Sequence, residues 1–440
     1  MNKAINLANQ TETQSLLARQ NKVLIPAMTK MLLHADNPIA FSHGKDQWLF
    51  DVEGNKYLDF FGGILTVSVG HANEEITQAT ITQLKKLQHT SMLYLNENTI
   101  ALAEKLAEIT PGALQYSFLT NSGTEANETA IMAARNFTGN ADIIALRHAY
   151  SGRSSTAMSM TAHSHWRQGG VFDGNIKHVR NAYKYRFPLD VSDEEYLDFL
   201  VDDLKEMIRT CTTGKIAAFM AEPIQGVGGF IVQPLDYFRR ILPIVREAGG
   251  LLIIDEVQTG WGRTGKHLCA IEHWGVEPDI MVFAKGIANG APSGATIMTE
   301  EVAGSITTTL STYGGNPVTS ATALATINYI QQHNLVDNAQ VQGLSLRSGM
   351  QSMQKDHAFI GDVRGMGLMQ AFEIIQEDGD KTPDVDKTGQ IVDAARQRGL
   401  LLGKGGLYGN TIRVAPHLNV SSDDMSNALE IIKASLQDCA

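Results

Sequence analysis

Two side chains set the chemistry open to this chain. Lys285 follows a short apolar run within Pro278-Asp-Ile-Met-Val-Phe-Ala-Lys-Gly286, and Asp255 closes a second run, Leu251-Leu-Ile-Ile-Asp255. An amine at one strand end and a carboxylate at another suit imine chemistry on a pyridine ring. The amine condenses with an aldehyde, and the carboxylate keeps the ring nitrogen protonated so that the ring can draw electrons. Pyridoxal 5'-phosphate is the cofactor with these two handles. Taken alone, a lysine after a strand is far more often a solvated boundary residue, so the rest of the sequence decides.

A phosphate needs its own holder. Leu119-Thr-Asn-Ser-Gly-Thr-Glu-Ala-Asn-Glu128 joins a strand to a helix. Ser122 can cap that helix, with Glu125 three residues on as in a capping box. Gly123 permits a tight turn. The free N–H groups of the first helical turn, with the Ser122 and Thr124 hydroxyls, make an anion site; an ordinary capped helix is the other reading. No Gly-x-x-x-x-Gly-Lys-Ser/Thr run exists, so a nucleotide phosphate loop has no support. Around the ring, Tyr150 could stack on one face and Val257 back the other, while Gln258 could donate to a ring oxygen. Asp255 is the firmest of these, because a carboxylate ending an apolar run needs a partner.

The elements that must position these residues follow an α/β pattern. Strands are predicted at Tyr116–Leu119, Asp142–Leu146, Ala217–Ala221, Leu251–Ile254 and Ile280–Phe283, separated by helices at Leu102–Glu108, Glu125–Phe137 and Tyr237–Glu247. Short, nearly all-apolar strands suit a parallel sheet covered on both faces. Ligands bind such sheets beyond the strands' carboxyl ends, where Ser122, Tyr150, Glu222, Asp255 and Lys285 all fall. A hairpin is expected at 47–60 and a long helix at 319–334. A strand-like run at 365–374, a helix near 387–397, strands at Leu400–Leu402 and Thr411–Ala415, and a last helix at 422–436 then give a smaller α+β region, which the hairpin joins. The expected division is 1–70 as an N-terminal segment contributing to the small lobe, 71–325 as the large domain, and 326–440 as the C-terminal small domain.

Composition narrows the function classes. A chain of 440 residues is too long for one small core. Acidic residues outnumber basic ones, 47 to 36, with no basic block, which argues against a nucleic-acid surface. No stretch approaches 18 consecutive apolar residues, so no membrane span is expected. The first ten residues lack a secretory hydrophobic segment or the arginine richness of a transit peptide. Cys211, Cys269 and Cys439 are widely spaced and odd in number, as for free thiols in a reducing compartment. The expected location is cytoplasmic. No metal is expected: His163 and His165 have no nearby third ligand.

Together these segments resemble the class III aminotransferases, fold type I pyridoxal phosphate enzymes. The resemblance covers nearly everything from residue 30 onward. It rests on Asn121-Ser-Gly-Thr-Glu-Ala-Asn127, Ala221-Glu-Pro-Ile-Gln-Gly226, Asp255-Glu-Val-Gln-Thr-Gly260, Ala284-Lys-Gly286 and Thr312-Tyr-Gly-Gly-Asn-Pro317. Phe61-Gly-Gly-Ile-Leu-Thr-Val-Ser-Val-Gly-His71, Gln88-His-Thr-Ser91 and Gly361-Asp-Val-Arg-Gly365 look most like the alanine–glyoxylate and 3-aminoisobutyrate–pyruvate branch.

The resemblance implies a large domain with a central, mostly parallel seven-stranded sheet and a small α+β domain formed by both termini. It implies that Lys285 carries the cofactor and shuttles a proton, and that Asp255 pairs with the ring nitrogen. Ser122, Gly123 and Thr124 would bind phosphate, Tyr150 and Val257 flank the ring, and Gln258 meet its oxygen. Thr312 would reach the phosphate of a neighbouring subunit, in a homodimer or tetramer with shared sites. Arg413 would bind the substrate carboxylate, and Glu222 would pair with Arg413 when no α-carboxylate is present. The implied reaction moves an amino group from an amino acid or amine to a 2-oxo acid such as pyruvate or glyoxylate, by ping-pong chemistry. Racemisation, decarboxylation or phospho-lyase chemistry on the same scaffold is the competing reading, and a noncatalytic binding protein is a third.

Three stretches depart from the family pattern. The usual His-Gly-Tyr-His-Gly is His148-Ala-Tyr-Ser-Gly152, the usual Gly-Phe-Gly-Arg is Gly260-Trp-Gly-Arg263, and the two-proline ending of the arginine segment is Ala415-Pro-His417. The last is expected to alter the substrate channel.

Overall fold

A computed structural model describes residues 11–170, 172–377 and 379–440; the opening stretch 1–10, on which the reading of the N-terminus bears, lies outside them. The centre is a seven-stranded sheet. Its strands are β1 (Tyr116–Thr120), β2 (Ile143–Leu146), β3 (Ile176–Val179), β4 (Ala218–Ala221), β5 (Leu251–Asp255), β6 (Ile280–Phe283) and β7 (Gly294–Met298). Their spatial order is β1-β7-β6-β5-β4-β2-β3. All neighbours are parallel except β7, which runs antiparallel to β6 and to β1.

Why this stretch is a two-sided sheet is visible in its parity. Ile143, Ala145, Ala218, Met220, Leu251, Ile253, Ile280 and Val282 face one core. Ile144, Leu146, Phe219, Ala221, Leu252, Ile254, Met281 and Phe283 face the other. Successive side chains alternate across a strand, so apolar runs without alternation are needed when both faces are covered. The first core is closed by the helix Gly123–Thr138, which buries Ala126, Ala130, Ile131, Ala133 and Ala134 against it. Each fully buried Leu or Ile contributes about 1.5–3 kcal/mol.

The five strands read from sequence are present within a residue or so of their expected limits. Strands β3 and β7 were not expected. Both carry polar or small residues, Lys177 and His178 in one and Gly294 and Thr296 in the other, which weakens the apolar signal. The run 365–374 is not one strand. It is the end of a hairpin, Ile360–Met366 and Met369–Ile374, turned at Gly367 with φ +50°. The turn is made by one glycine and Leu368, with none of the usual Asn, Asp or Pro to announce it.

The hairpin expected at 47–60 pairs Trp48–Asp51 with Lys56–Asp59. Its second strand pairs in parallel with Leu400–Leu401, setting Asp59 beside Leu401. A further sheet orders Ile360–Met366, Met369–Ile374, Thr411–Val414 and Gly403–Gly405. It carries Arg413 opposite Ala371 on one side and Gly403 on the other. No described helix is long and apolar enough to cross a membrane.

Candidate active site

Beyond the carboxyl ends of β4, β5 and β6 lies a cleft of about 270 Å³. Ser122, Gly123, Thr124, Tyr150, Glu222, Asp255, Val257, Gln258 and Lys285 all line it, as do Thr66 and Asn127. Strand parity explains the first placement. Asp255 shares the face of Leu251 and Ile253, the face covered by the helix Gly123–Thr138. Asn127 on that helix donates from Nδ2 to Asp255 Oδ2 at 3.0 Å and to Ser151 O at 2.8 Å. The Val257 N–H donates to Asp255 Oδ1 at 3.0 Å. The carboxylate is only 4% exposed. Burial pushes its pKa up, against these two hydrogen bonds and the nearby charge of Lys285.

Lys285 sits one residue past Ala284 with φ +46°, left-handed backbone that lysine rarely adopts. Such strain is kept where the surroundings over-determine it, and here it turns the chain from β6 into a short 3-10 turn, Lys285–Ala288. The residue is half-buried and lines the cleft. Burial lowers its pKa to about 8, opposed by Asp255 and Glu222 and assisted by Arg413.

The helix start is built for close approach. Ser122 caps it by accepting from the Glu125 N–H at 3.2 Å. The reciprocal half of the expected capping box is absent: Glu125 accepts instead from Asn121, at its backbone N and its Nδ2, both 3.0 Å. A Cβ on Gly123 would come within 3.1 Å of Val257 Cγ2, so the glycine keeps the wall between helix and β5 tight. Tyr150 is half-buried with its ring edge-on to Trp166 at 5.8 Å. Gln258 Oε1 is buried without a hydrogen-bond partner.

Two expected residues stand outside the cleft lining. Arg413 is buried beside it, its Nη2 donating to Lys404 O at 2.9 Å, with Nε unpartnered. The guanidinium lies over the rings of Phe61 and Phe230, at 4.9 and 5.6 Å from their centroids. Thr312 is exposed on a turn between Ser311 and Asn316, away from this subunit's own cleft lining. Glu222 and Arg413 form no ion pair. Both Glu222 oxygens are taken by backbone N–H groups, Tyr150 at 3.2 Å and Gly226 at 2.8 Å. Burial pushes Glu222 up to about 8, with the Asp255 charge adding to it.

The family model described as Aminotransferase class-III matches residues 33–436. The chain belongs to that family. It is 39% identical over 423 residues to alanine–glyoxylate aminotransferase 2 homolog 2, mitochondrial, of Arabidopsis thaliana, covering 96% of this chain and 87% of the relative. It is 34% identical over 410 residues to a 5-aminovalerate aminotransferase of Pseudomonas putida, covering 92% and 95%. Among solved structures, an (S)-enantioselective omega-transaminase from Thermomicrobium roseum superposes with a TM-score of 0.90 at 32% identity, over 98% of this chain and 100% of that one. A phospholyase from Arthrobacter, in complex with phosphoethanolamine, superposes at 0.87 with 30% identity, over 96% and 99%.

This class III enzyme is therefore a pyridoxal phosphate-dependent aminotransferase of fold type I. The donor set fits the cofactor. A buried carboxylate held without an ion pair suits a protonated ring nitrogen, the Gln258 amide on the cleft wall can turn its NH2 to a ring oxygen, and a capped helix start suits a phosphate. Asn127 is a site residue that the sequence reading does not single out, although it lies in the Asn121–Asn127 segment. It stands one turn past the cap, on the helix face that packs on the sheet, but its partner Asp255 lies 128 positions away. Thr66 follows Ile64 and Leu65, both with positive φ in a loop opened by Gly62 and Gly63.

Proposed function

We propose that this aminotransferase takes amino groups from α-amino acids and from donors whose amine lies further from the carboxylate, and delivers them to a small 2-oxo acid such as pyruvate or glyoxylate. The relatives named for alanine–glyoxylate and 5-aminovalerate transfer support both donor classes. The observation that carries the reading is the single cleft joining Lys285, Asp255 and the Ser122 helix start, with Arg413 buried beside it. Donor and acceptor then use one site in turn, which gives ping-pong kinetics.

Each residue has a part in this reading. The bound cofactor supplies an aldehyde that takes up the amino group and a ring that accepts the electron pair released at the substrate carbon. Lys285 anchors it and moves the proton; a buried amine with pKa near 8 is poised to do so at neutral pH. Asp255 holds the ring nitrogen's proton, and Asn127 holds Asp255. Ser122, Gly123 and Thr124 hold phosphate, Tyr150 and Val257 flank the ring, and Gln258 meets its oxygen. Arg413 binds the substrate carboxylate as a planar fork. To neutralise Arg413 when that carboxylate is absent, Glu222 would release the Tyr150 and Gly226 N–H groups and give up its proton.

Thr312, exposed on its turn, is proposed to complete the phosphate site of a second subunit, in a dimer or a pair of dimers. Thr312→Ala should loosen the cofactor without changing the Lys285 environment; an active, cofactor-loaded monomer in sedimentation refutes the shared site. A cytoplasmic location is proposed on the three free thiols, and fractionation of the source cells checks it. The likeness to a phospholyase names the rival chemistry. Turnover of an amino-donor panel that stops when pyruvate and glyoxylate are withheld supports amino transfer; acceptor-independent release of phosphate or ammonia overturns it.

A further inference from the structure

Away from the cleft, three side chains with metal-ligating atoms converge where the loop after the Trp48–Asp59 hairpin meets the exit of the Arg413 strand. Asp59, His71 and His417 hold their ligand atoms all within 4.8 Å of one another. His71 Nε2 is 2.9 Å from Asp59 Oδ2, and His417 Nε2 is 3.6 Å from the same oxygen. The two imidazoles meet edge-on, centroids 4.8 Å apart at 81°. His417 is completely buried, and neither of its ring nitrogens has a hydrogen-bond partner. A buried imidazole with two idle nitrogens is costly unless something fills the gap.

We infer that Asp59, His71 and His417 form a binding site for a divalent transition ion of the zinc type, separate from the cofactor cleft. Two imidazole nitrogens and one carboxylate oxygen are a zinc donor set with a fourth position left for water. Bonds of about 2.0–2.2 Å in tetrahedral geometry place ligand atoms roughly 3.3 Å apart, and the two Asp59 separations bracket that value. His71 presents its Nε2 lone pair by moving its proton to Nδ1, and the ion takes the place of the hydrogen bond to Asp59. No bond to carbon changes and no oxidant is needed.

The frame around the three residues is already rigid. Asp59 Oδ1 accepts from the N–H groups of Phe61 and Gly62, both at 2.9 Å, which aims Oδ2 at the histidines. His71 is held by a reciprocal backbone pair with Asp46, at 2.9 and 2.7 Å. His417 lies between Ala415, whose N–H donates to Phe60 O at 2.8 Å, and Leu418, whose N–H donates to Ser68 O at 2.7 Å. Oriented carboxylates and pinned ligand backbones are what a metal site needs from its surroundings. Asp59 also edges a hollow of about 240 Å³, and the His71 side chain is 15% exposed, so the cluster has an entry side. Arg263, donating from Nη1 to Pro416 O at 2.6 Å, brings a positive charge near His417 and works against the ion. Bound there, the ion would clip residues 59–71 to the segment four residues beyond Arg413.

The test is zinc chloride titration of the holoenzyme, stripped with a chelator and kept free of amino donor, with zinc counted per chain and unfolding followed by heating. Wild type should take up about one equivalent and unfold at higher temperature with zinc present, since a ligand of the native state raises Tm. His417→Pro restores the two-proline ending common in the family, and His71→Ala removes a half-buried ligand; each should weaken zinc binding by at least the roughly 10- to 100-fold that losing a partner of a ligand costs and abolish the thermal shift. Sub-stoichiometric uptake by wild type, or equal uptake by both folded variants, overturns the site and leaves a hydrogen-bonded Asp–His–His cluster. Neither result touches the cofactor cleft or its amino-transfer reading.

Discussion

Glu222 and Arg413 meet on the two sides of one residue: Glu222 Oε2 accepts from the Gly226 N–H at 2.8 Å, and Arg413 Nη1 donates to the Gly226 carbonyl at 3.4 Å. The carboxylate and guanidinium thus share a backbone hinge without forming an ion pair. Gly226 has no room for a side chain, since a Cβ there would lie 2.3 Å from the Gln258 amide. Gly405 likewise leaves space for Arg413, whose Nε would be 2.8 Å from a Cβ at that position. Arg413 therefore keeps donor capacity for a substrate carboxylate.

From this follows the behaviour of Arg413 variants. Arg413→Ala should slow the half-reactions of alanine and of the 2-oxo acid about 10- to 150-fold, the loss expected for a charge-assisted pair of roughly 1.5–3 kcal/mol. A simple amine donor should lose far less. Arg413→Lys should recover only part, because an ammonium cannot match the planar fork. The half-reactions are measured in single turnover, which separates donor from acceptor defects. Equal losses for alanine and the amine would remove Arg413 from carboxylate binding.

Lys285→Ala should abolish turnover, with loss of about 100- to 10,000-fold from the proton-transfer role alone. Cofactor should still bind through the helix start at Ser122. Borohydride reduction of wild-type enzyme followed by peptide mapping should label the peptide containing Lys285; a label on any other lysine refutes the assignment.

Asp255 and Asn127 should separate in degree. Asp255→Ala removes the only charge proposed for the ring nitrogen and should reduce kcat about 100- to 1,000-fold. Asn127→Ala removes one neutral hydrogen bond to that carboxylate and should reduce it about 10-fold, with a shifted pH profile and cofactor absorbance. An Asn127 variant that loses stability but keeps the wild-type pH profile and spectrum would make the residue purely structural.

The cofactor-free protein should show an opposing pair of pH effects on stability. Glu222 has its folded pKa raised to about 8 by burial, so the native state holds a proton that the unfolded chain releases. Its contribution is full below the ordinary glutamate range and is lost as pH rises through 8. Lys285 has its folded pKa lowered to about 8, so it makes stability rise with pH between that value and the ordinary lysine range. Melting curves should therefore show Tm falling from pH 5 to 8 in wild type and falling less in Glu222→Gln. Identical slopes for the two proteins would show that Glu222 is not buried as a neutral acid.

Local order was enough to read the large sheet from the chain. Unbroken runs such as Leu251–Ile254 and Ile280–Phe283 can be satisfied only by burial on both faces, and the residue that ends each run must then lie at the sheet's edge. That is why Asp255, Lys285 and Ser122 were legible as a group although up to 163 positions separate them. Gly294–Met298 was not legible, because its small and polar residues are tolerated only by the neighbours it meets. The partners of the charged groups were equally hidden. Nothing in the order of residues says that Glu222 and Arg413 share Gly226, that Asn127 holds Asp255, or that His417 comes to rest against Asp59 and His71. Those are contacts across 4, 128 and more than 300 positions, with Arg413 reaching back 187. They depend on where whole elements dock, and docking is decided by the summed burial of two cores rather than by any local preference.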